Sequence, residues 1–528
     1  MGAALKADNK RKHIAVYASF LEYGKYLSDE SAWIPIGMIR ADIRNAIGAS
    51  AITRALVRKM VLPGGDSGTV ILGENVFREY VFHYKLHRFI ADDAAGKETF
   101  CYKGASAWRV CHNCKNVCLD QGDGTLSLHD ANGYLVPLSC HDPSRFDEQS
   151  SAEYESAYDD LCALRDVSNV GEFDELDGGT ASSGARGRLR LCSSPRAPPA
   201  KGARGGAAPD AVGTAAPLRL QSLRQEKLYG ITIDDDGILA DPEVRAIMPL
   251  SIFARDPMHT LYASGSVMQV EIFCLFRAVK RRDRDIWQSW ASGLQAWATG
   301  RGHTKPVSFV FSEAREAATL KNKHYVGSAS DVLAILPFLR NWVHHELPKH
   351  AGMEARGRSF EQMCRLSDLF LNGRRTGTAD KTTWVQAVSA ALRAHVEAYT
   401  DELVKPKHHY LYHACDQASE DNVWLDAFVL ERRHKLLKAS AELICRMVEF
   451  ENSAMSRAVA TALEEANAPL PDRCKWWRTP ELDAAVGPQG AANATATDPA
   501  RNPSNQMPAF SGHCPPETPS CRGRVCCL

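Results

Sequence analysis

An apolar run that ends in two acids and continues into closely spaced cysteines constrains this chain more than any other feature. Residues 80–91, YVFHYKLHRFIA, are rich in aromatic and apolar side chains and predict a strand. Asp92 and Asp93 follow directly, and RVCHNCKNVC comes shortly after. Metal-ion chemistry needs a rigidly placed carboxylate, and a zinc site can pin the loop that leaves a sheet. The stretch therefore predicts a sheet edge that carries both kinds of metal ligand.

Composition excludes several classes of protein. The 528 residues suffice for about two to four domains, and 63 basic residues balance 63 acidic ones. No global charge therefore draws the chain to nucleic acid or membrane. The N-terminus lacks the apolar segment of a secretory signal, and no apolar stretch approaches the roughly 20 residues that span a bilayer. We expect a soluble intracellular protein whose 16 cysteines serve as thiols and metal ligands instead of disulfides.

Four side chains form the favoured structural zinc site. Cys111 and Cys114 have the C-x-x-C spacing that clamps one face of a tetrahedral Zn²⁺, and Cys140 with His141 would close the site. The alternative is a set of buried or redox-inactive thiols. Reserve ligands are Cys118 and His129.

Three acids, each next to an apolar segment, are the candidate catalytic residues. Asp92 lies in FIADDAAG, Asp256 in IFARDPMHTLYASG, and Glu431 follows AFVL. Each has a structural alternative: a turn residue for Asp92, a helix N-cap before Pro257 for Asp256, and a helix N-terminal acid for Glu431. If folding gathers them, they could bridge two Mg²⁺ or Mn²⁺ ions that activate a water or a 3′-hydroxyl for phosphodiester transfer.

The segments KPKHHYLYH and ERRHK carry the candidate contacts to nucleic acid. His409 and His413 lie four residues apart on one helical face, which suits a metal pair. Packing or phosphate contact is the preferred interpretation, because the H-E-x-x-H acid is absent. Arg432, Arg433, Lys407 and His409 are the residues expected to hold a DNA backbone.

Changes in composition divide the chain into eight segments. The Gly-, Pro- and Arg-rich residues 176–217 and the Pro- and Asn-rich residues 471–528 cannot bury enough apolar surface to fold. The segments are the N-terminal part of the core (1–100), a Cys-rich zinc-type insertion (101–145), a helical connector (146–175), a disordered insertion (176–217), a core strand region with the D-P-M-H motif (218–265), a helical insertion (266–405), the final core segment with a long helix (406–470) and a disordered tail (471–528).

The order of these motifs resembles that of DDE transposases of the CACTA and Kyakuja–Dileera–Zisupton (Plavaka-like) group. The shared elements are an acid after a strand, KGASAWRVCHNC, IFARDPMHTLYASG, and KPKHHYLYH followed by FVLERRHK. The resemblance implies an α/β protein with a ribonuclease-H-like core, a zinc-type insertion and a large, mostly helical C-terminal half. It also implies Asp92, Asp256 and Glu431 as catalytic acids, Mg²⁺ or Mn²⁺ for catalysis, structural Zn²⁺, transposon-end DNA as partner and a nuclear location. A homo-oligomer is compatible with it, and a membrane partner is not expected.

The resemblance further predicts an incomplete catalytic set. In similar family members, a strand ahead of the segment HIAVYASFLEYG supplies the first catalytic acid, and this chain begins without it. We therefore expect a truncated relative whose incomplete set of acids cannot hold two metals in the required geometry. A gene-model error at the N-terminus would give the same picture. Two alternatives stay open: a non-catalytic, zinc-containing DNA-binding or interaction protein descended from a transposase, and a helical scaffold with no nucleic-acid role.

Overall fold

The computed structural model describes residues 13–62, 69–72, 79–119, 135–174, 226–301, 307–400, 403–442, 450–467 and 522–527. Helices dominate this part of the chain, and its strands form one mixed sheet and one small pair. The protein is therefore an α/β protein with a mostly helical second half. The predicted insertion 176–217 and the reserve ligand His129 lie outside the described residues.

The main sheet has the strand order β2–β1–β8–β4, and both β3 and β7 also pair with β4. Strands β4, β7 and β8 are mutually parallel, whereas β1 is antiparallel to β2 and β8. The described strands are β1 (His13–Phe20), β2 (Ile34–Arg40), β3 (Thr69–Leu72), β4 (Glu79–Ala91), β5 (Val117–Cys118), β6 (Val136–Pro137), β7 (Phe253–Arg255) and β8 (Arg522–Cys527).

The described helices lie between and after these strands. They are α1 (Ala41–Ile47), α2 (Ala49–Leu56), α3 (Asp93–Phe100), α4 (Ser151–Asp174), α5 (Pro242–Ile247), α6 (Pro257–Leu261), α7 (Val267–Lys280), α8 (Ile286–Thr299), α9 (Glu313–Asn322), α10 (Ala329–His345), α11 (Glu354–Thr376), α12 (Lys381–Tyr399), α13 (Pro406–Tyr410), α14 (Asp416–Asp421), α15 (Ala427–Glu442) and α16 (Phe450–Asn467).

The pairing of β4 with β7 decides where two of the predicted acids lie. Ala91 lies opposite Arg255 in this parallel ladder, so Asp92 and Asp256 are the next residue on each strand. Carboxyl ends of parallel strands meet at the same edge of a sheet, which is where such sheets commonly bind ligands. The prediction that Asp92 follows a strand is confirmed.

The largest hydrophobic core lies in the helical half and holds the sheet edge in place. Helix α7 is buried around nearly its whole circumference, including its polar residues Gln269 and Glu271. Its Phe276 packs edge-on against Trp287 at 4.7 Å between ring centroids. The same core continues through Tyr262 to Phe428 at the start of α15, so α6 and α15 are fixed relative to each other.

Two segments have a structure that their local sequence pattern does not favour. Residues 34–47 have apolar spacing that favours a helix, but Ile34–Arg40 form β2 and only Ala41–Ile47 are helical. The backbone hydrogen bonds of Ile34–Arg40 are satisfied in the ladder with β1. This pairing outweighs the helical spacing of the apolar residues. The tail 471–528 is expected to be disordered, yet its residues 522–527 form β8 between β1 and β4. Strands β1 and β4 each present an edge with backbone groups that can form hydrogen bonds, and such an edge is a template for pairing with another strand.

We expect Arg374→Ala to lower the free energy of unfolding by about 3–5 kcal/mol, because it leaves a buried carboxylate unpaired. Arg374 of α11 pairs with Asp426, whose side chain is 2% exposed and lies directly before α15. Burial raises the pKa of Asp426 to about 6, and Arg374 opposes that rise. Chemical denaturation measures the change. Arg375→Ala, at the exposed neighbour, should stay within about 0.5 kcal/mol of the parent.

Candidate functional site

Asp256 joins the start of two helices at the sheet edge. Its side chain caps α6 by accepting hydrogen bonds from the amides of Met258 at 3.0 Å and His259 at 3.1 Å. It also accepts from the amide of Ala427 at 3.0 Å, the first residue of α15. The N-cap interpretation of Asp256 is therefore confirmed. These bonds and a contact with the imidazole Nδ1 of His259 occupy both carboxylate oxygens.

His259 lies between Asp256 and Glu431. Its Nδ1 contacts Asp256, and its Nε2 lies 3.7 Å from the Glu431 Oε1, whose side chain is 49% exposed. Burial alone would lower the pKa of His259, but the Asp256 hydrogen bond and the charges of Asp256, Asp92 and Glu431 raise it. One imidazole thus connects two of the three predicted acids, and the third, Asp92, lies within electrostatic range.

Asp92 caps the helix that leaves β4. Its carboxylate accepts a hydrogen bond from the amide of Ala95 at 2.6 Å, in the first turn of α3. Asp92, His259 and Glu431 all line one cavity of about 810 Å³. The cavity is otherwise mainly apolar, with walls from β1, β2, α2 and β4. Charges in such a partly dehydrated space interact more strongly than charges on an open surface.

Lys407 balances part of this negative charge from inside the protein. Its Nζ donates to the carbonyl oxygens of His259 at 2.8 Å and Ser264 at 2.9 Å, at the end of α6. Burial lowers the pKa of Lys407 to about 8, although the nearby carboxylates of Asp93, Asp256 and Asp92 oppose the change. Lys407 is therefore a structural partner of α6.

A second cluster brings two cysteines together with two histidines. The ligand atoms of Cys111, Cys114, His409 and His413 all lie within 4.8 Å of one another, and all four residues are buried. His413 Nε2 is 3.2 Å from the Cys114 Sγ and 3.3 Å from His409 Nε2. Four-coordinate zinc with bonds of about 2.0–2.3 Å places its donors at such separations, so this Cys₂His₂ set fits Zn²⁺.

Neighbouring groups orient the ligands of this cluster. Asp416 Oδ2 lies 3.3 Å from Nδ1 of His413, the carboxylate partner that zinc-bound histidines commonly have. Burial opposes ionisation of Cys111, but the Cys114 hydrogen bond and the charges of His413 and His409 lower the pKa of the Cys111 thiol well below its usual value. Metal ions bind the thiolate form, so the pocket favours the state that a ligand needs.

The buried guanidinium of Arg255 connects this cluster to the sheet edge. Its Nη2 donates to His112 Nδ1 at 2.9 Å and lies 3.6 Å from the Cys111 Sγ, while the guanidinium stacks 3.8 Å from the Tyr410 ring centroid. Arg255 ends β7 and directly precedes Asp256. The Cys₂His₂ cluster and the acid cluster are therefore neighbours along one strand.

The predicted zinc set is half right. The structure keeps Cys111 and Cys114 but replaces Cys140 and His141 with His409 and His413. The Cys140 thiol instead contacts the Asp142 carbonyl at 3.5 Å. The signal was in the sequence, because His409 and His413 have the H-x₃-H spacing that completes a C-x₂-C site, but packing or phosphate contact was the preferred interpretation of this pair. Local sequence proximity favoured Cys140, whereas folding supplied ligands from the far end of the chain.

The four residues predicted to contact DNA lie in different surroundings, and DNA contact at these positions stays a prediction. His409 belongs to the Cys₂His₂ cluster, Lys407 donates to backbone carbonyls, and Arg433 is only 4% exposed. Arg432 is 43% exposed and pairs with Glu30. The start of α15 packs into the core, which limits how far Arg433 can reach the surface.

Comparisons with known proteins do not add a relative. No protein-family model, no curated protein and no solved structure matches the chain. Within the described residues, none of the helices has both the length and the apolar character needed to cross a lipid bilayer. The resemblance to transposases therefore depends on the sequence motifs alone.

Proposed function

We propose that this protein derives from a DDE-type transposase and cleaves DNA strands with a divalent cation held beside Asp92 and Glu431. The meeting of Asp92, Asp256 and Glu431 around His259 is the observation that carries this proposal. These residues are far apart in sequence, and carboxylates are the ligands that Mg²⁺ and Mn²⁺ prefer. The mixed sheet with parallel strands ending at the acids is compatible with the ribonuclease-H-like core that we propose.

Each side chain would have a separate role in such a site. Asp92 and Glu431 line the cavity and would hold the cation, which would supply Lewis-acid polarisation of a phosphoryl oxygen. His259 presents Nε2 beside Glu431 and can hold or release a proton there. Asp256 orients His259 through Nδ1, so we assign it a positioning role instead of the metal-binding role expected from the sequence.

A second candidate function is a zinc-containing protein that binds DNA without cleaving it. The hydrogen bonds of Asp256 favour this candidate. A carboxylate whose oxygens already accept hydrogen bonds from backbone amides has little capacity left to bind a cation. The Cys₂His₂ cluster would then support a fold that keeps the binding surface of an ancestral transposase.

A plasmid assay separates the two candidates. We expect the purified, zinc-loaded protein to convert supercoiled plasmid to nicked circles when Mg²⁺ or Mn²⁺ is added, and not without added cation. Cation-independent retention of DNA with no nicking under either condition would establish the second candidate instead. Absence of both retention and nicking at low salt, where phosphate contacts are strongest, would reject both.

A further inference from the structure

The cavity of about 810 Å³ beside the acid cluster passes through the plane of the main sheet. Successive side chains of a strand point to opposite faces of a sheet, yet residues 14–18 of β1 and 89–91 of β4 all line this cavity. Ile90 belongs to the largest hydrophobic core, whereas its neighbours Phe89 and Ala91 belong to a second core. The cavity therefore connects the two faces of the sheet.

A gap between β1 and β4 accounts for this shape. Strand β8 fills the space between them only as far as Cys527, which lies opposite Ala18 of β1 and Phe89 of β4. Beyond that point β1 continues to His13 and β4 to Ala91, and none of the described strands lies between them. The part of β1 that borders the gap, from His13 to the residue before Ala18, is roughly 16 Å long at the rise of a strand. The gap is therefore elongated, and it starts with the width of one strand.

The walls of the gap suit the apolar body of a ligand. Pockets for small molecules are typically about 300–1,000 Å³ in volume and mainly apolar, with a few polar groups. Tyr17 lines the cavity and is 3% exposed, and its hydroxyl has no hydrogen-bond partner among the described residues. Buried hydroxyl groups normally have such a partner. The cavity thus combines apolar walls with a buried polar group that a ligand can satisfy.

Carboxylates dominate the polar end of the cavity. Asp92 and Glu431 line it together with His259. The charges of Asp256, Asp92 and Glu431 all raise the pKa of His259, against the effect of burial. One imidazolium charge therefore faces three carboxylates, and the group stays net negative even when the charge of Lys407 is added. A cationic ligand group is attracted to such an end.

Other cationic side chains around the cavity do not cancel this negative charge. Arg44 lines the cavity but pairs with Glu98. Lys435 also lines it, one helical turn beyond Glu431, but its side chain is exposed. Water and salt screen an exposed charge more than a partly buried one. The charge complementarity of the polar end therefore favours a cation over an anion.

We propose that this cavity binds an elongated apolar molecule that ends in a protonated amine, with its apolar body in the gap between β1 and β4 and its amine facing Asp92 and Glu431. A primary alkylamine is the simplest member of this class of ligand. The inference goes beyond the proposed function and does not depend on it, because binding needs only the gap and the carboxylates.

Displacement of a fluorescent probe tests this proposal. N-phenyl-1-naphthylamine is uncharged at neutral pH and becomes fluorescent in apolar surroundings, so it reports occupation of the gap. Without divalent cations, we expect decylamine to displace the probe at a concentration about fivefold lower than decan-1-ol does, because its ammonium group gains an ion pair. Decanoate should displace it least. Displacement by decanoate at the lowest concentration of the three, or no saturable probe fluorescence, would overturn the proposal.

Two variants locate the ligand. Glu431→Gln should remove most of the advantage of decylamine over decan-1-ol, whereas Glu397→Gln, at an exposed residue paired with Arg358, should keep it. Ala15→Phe places a ring in the cavity that Ala15 lines, and should weaken binding of both ligands by about 10-fold or more. Ala296→Phe makes the same change at an exposed position of α8 and should leave binding unchanged.

The outcomes separate this inference from the proposed cleavage of DNA. Parental affinity in an Ala15→Phe protein that unfolds at the parental temperature would overturn the placement of the ligand in the gap. If Ala15→Phe does not fold, an undiminished preference of Glu431→Gln for decylamine would overturn the assignment of the amine. Binding of decylamine as expected, by a protein that does not nick plasmid, would retain this inference and reject only the proposed function.

Discussion

Replacement of His413 by alanine is expected to remove bound zinc and to destabilise the whole fold. The Cys₂His₂ cluster brings Cys111 and Cys114 together with His409 and His413, so a bound zinc ion would connect two segments that are otherwise remote in sequence. Structural zinc contributes about 10–16 kcal/mol in isolated zinc-finger peptides. Loss of even part of that energy would exceed the effect of most point substitutions, about 0.5–3 kcal/mol. Elemental analysis should give one zinc per chain in the parent and almost none in the variant, with a lower Tm.

A paired control distinguishes the two possible ligand sets. The double substitution Cys140→Ser with His141→Ala removes the pair expected from the sequence and should retain one zinc per chain. Cys114→Ser should behave like His413→Ala, because it removes a ligand that the other chain segment contributes to the same cluster. Zinc retained by His413→Ala and lost from the Cys140 and His141 variant would refute the Cys₂His₂ assignment. A Co²⁺-substituted protein adds an independent readout, since two thiolate ligands give an intense charge-transfer band that Cys114→Ser should diminish.

Substitution of the acids should have two different kinds of effect. Asp92→Asn and Glu431→Gln are expected to lower the rate of plasmid nicking at least about 100-fold and to leave thermal unfolding nearly unchanged. Outer partners of metal sites alone cost about 10–100-fold, and these two residues are proposed as direct ligands. Asp256→Asn should lower nicking and also reduce the free energy of unfolding by about 1–3 kcal/mol, because one carboxylate oxygen becomes an amide NH₂ and the oxygen that accepts from the amide and imidazole of His259 is lost.

The contrast between these variants is the informative part of the experiment. Glu397→Gln makes the same chemical change at an exposed residue that pairs with Arg358 and should alter neither property. Nicking at the parental rate by Asp92→Asn would show that Asp92 is not a metal ligand. The same result for Glu431→Gln would exclude Glu431. An Asp256→Asn protein as stable as the parent, but inactive, would move Asp256 from the positioning role to the metal-binding role.

Features that depend on neighbouring residues were predictable, and features that depend on pairing of remote segments were not. The strand before Asp92 and the cap at Asp256 follow from local apolar runs and from Pro257. The placement of the two acids side by side follows from the register of β4 with β7, which no local pattern specifies. The sequence therefore predicts which residues belong to the candidate site better than it predicts the contacts between them.

The basic residues illustrate why local charge is a weak guide to binding. The motif ERRHK looks like an exposed cationic strip, but it lies in the first turns of α15, where one side of the helix faces the core. Arg433 is consequently buried, whereas the adjacent Arg432 stays on the surface. Lys405 and His324 come from different elements, so their proximity cannot be inferred from either segment alone.

The position of β8 bears on how the protein assembles over time. This strand inserts between β1 and β4, although it is separated from both by almost the whole length of the chain. Closing a loop of that size is entropically costly, and topologies dominated by such remote pairings nucleate slowly. The helical half, built from sequential contacts, can therefore form first, and completion of the sheet becomes a late event on the folding pathway. Until then, the facing edges of β1 and β4 remain available to other extended segments, which makes this interval the stage most prone to misassembly.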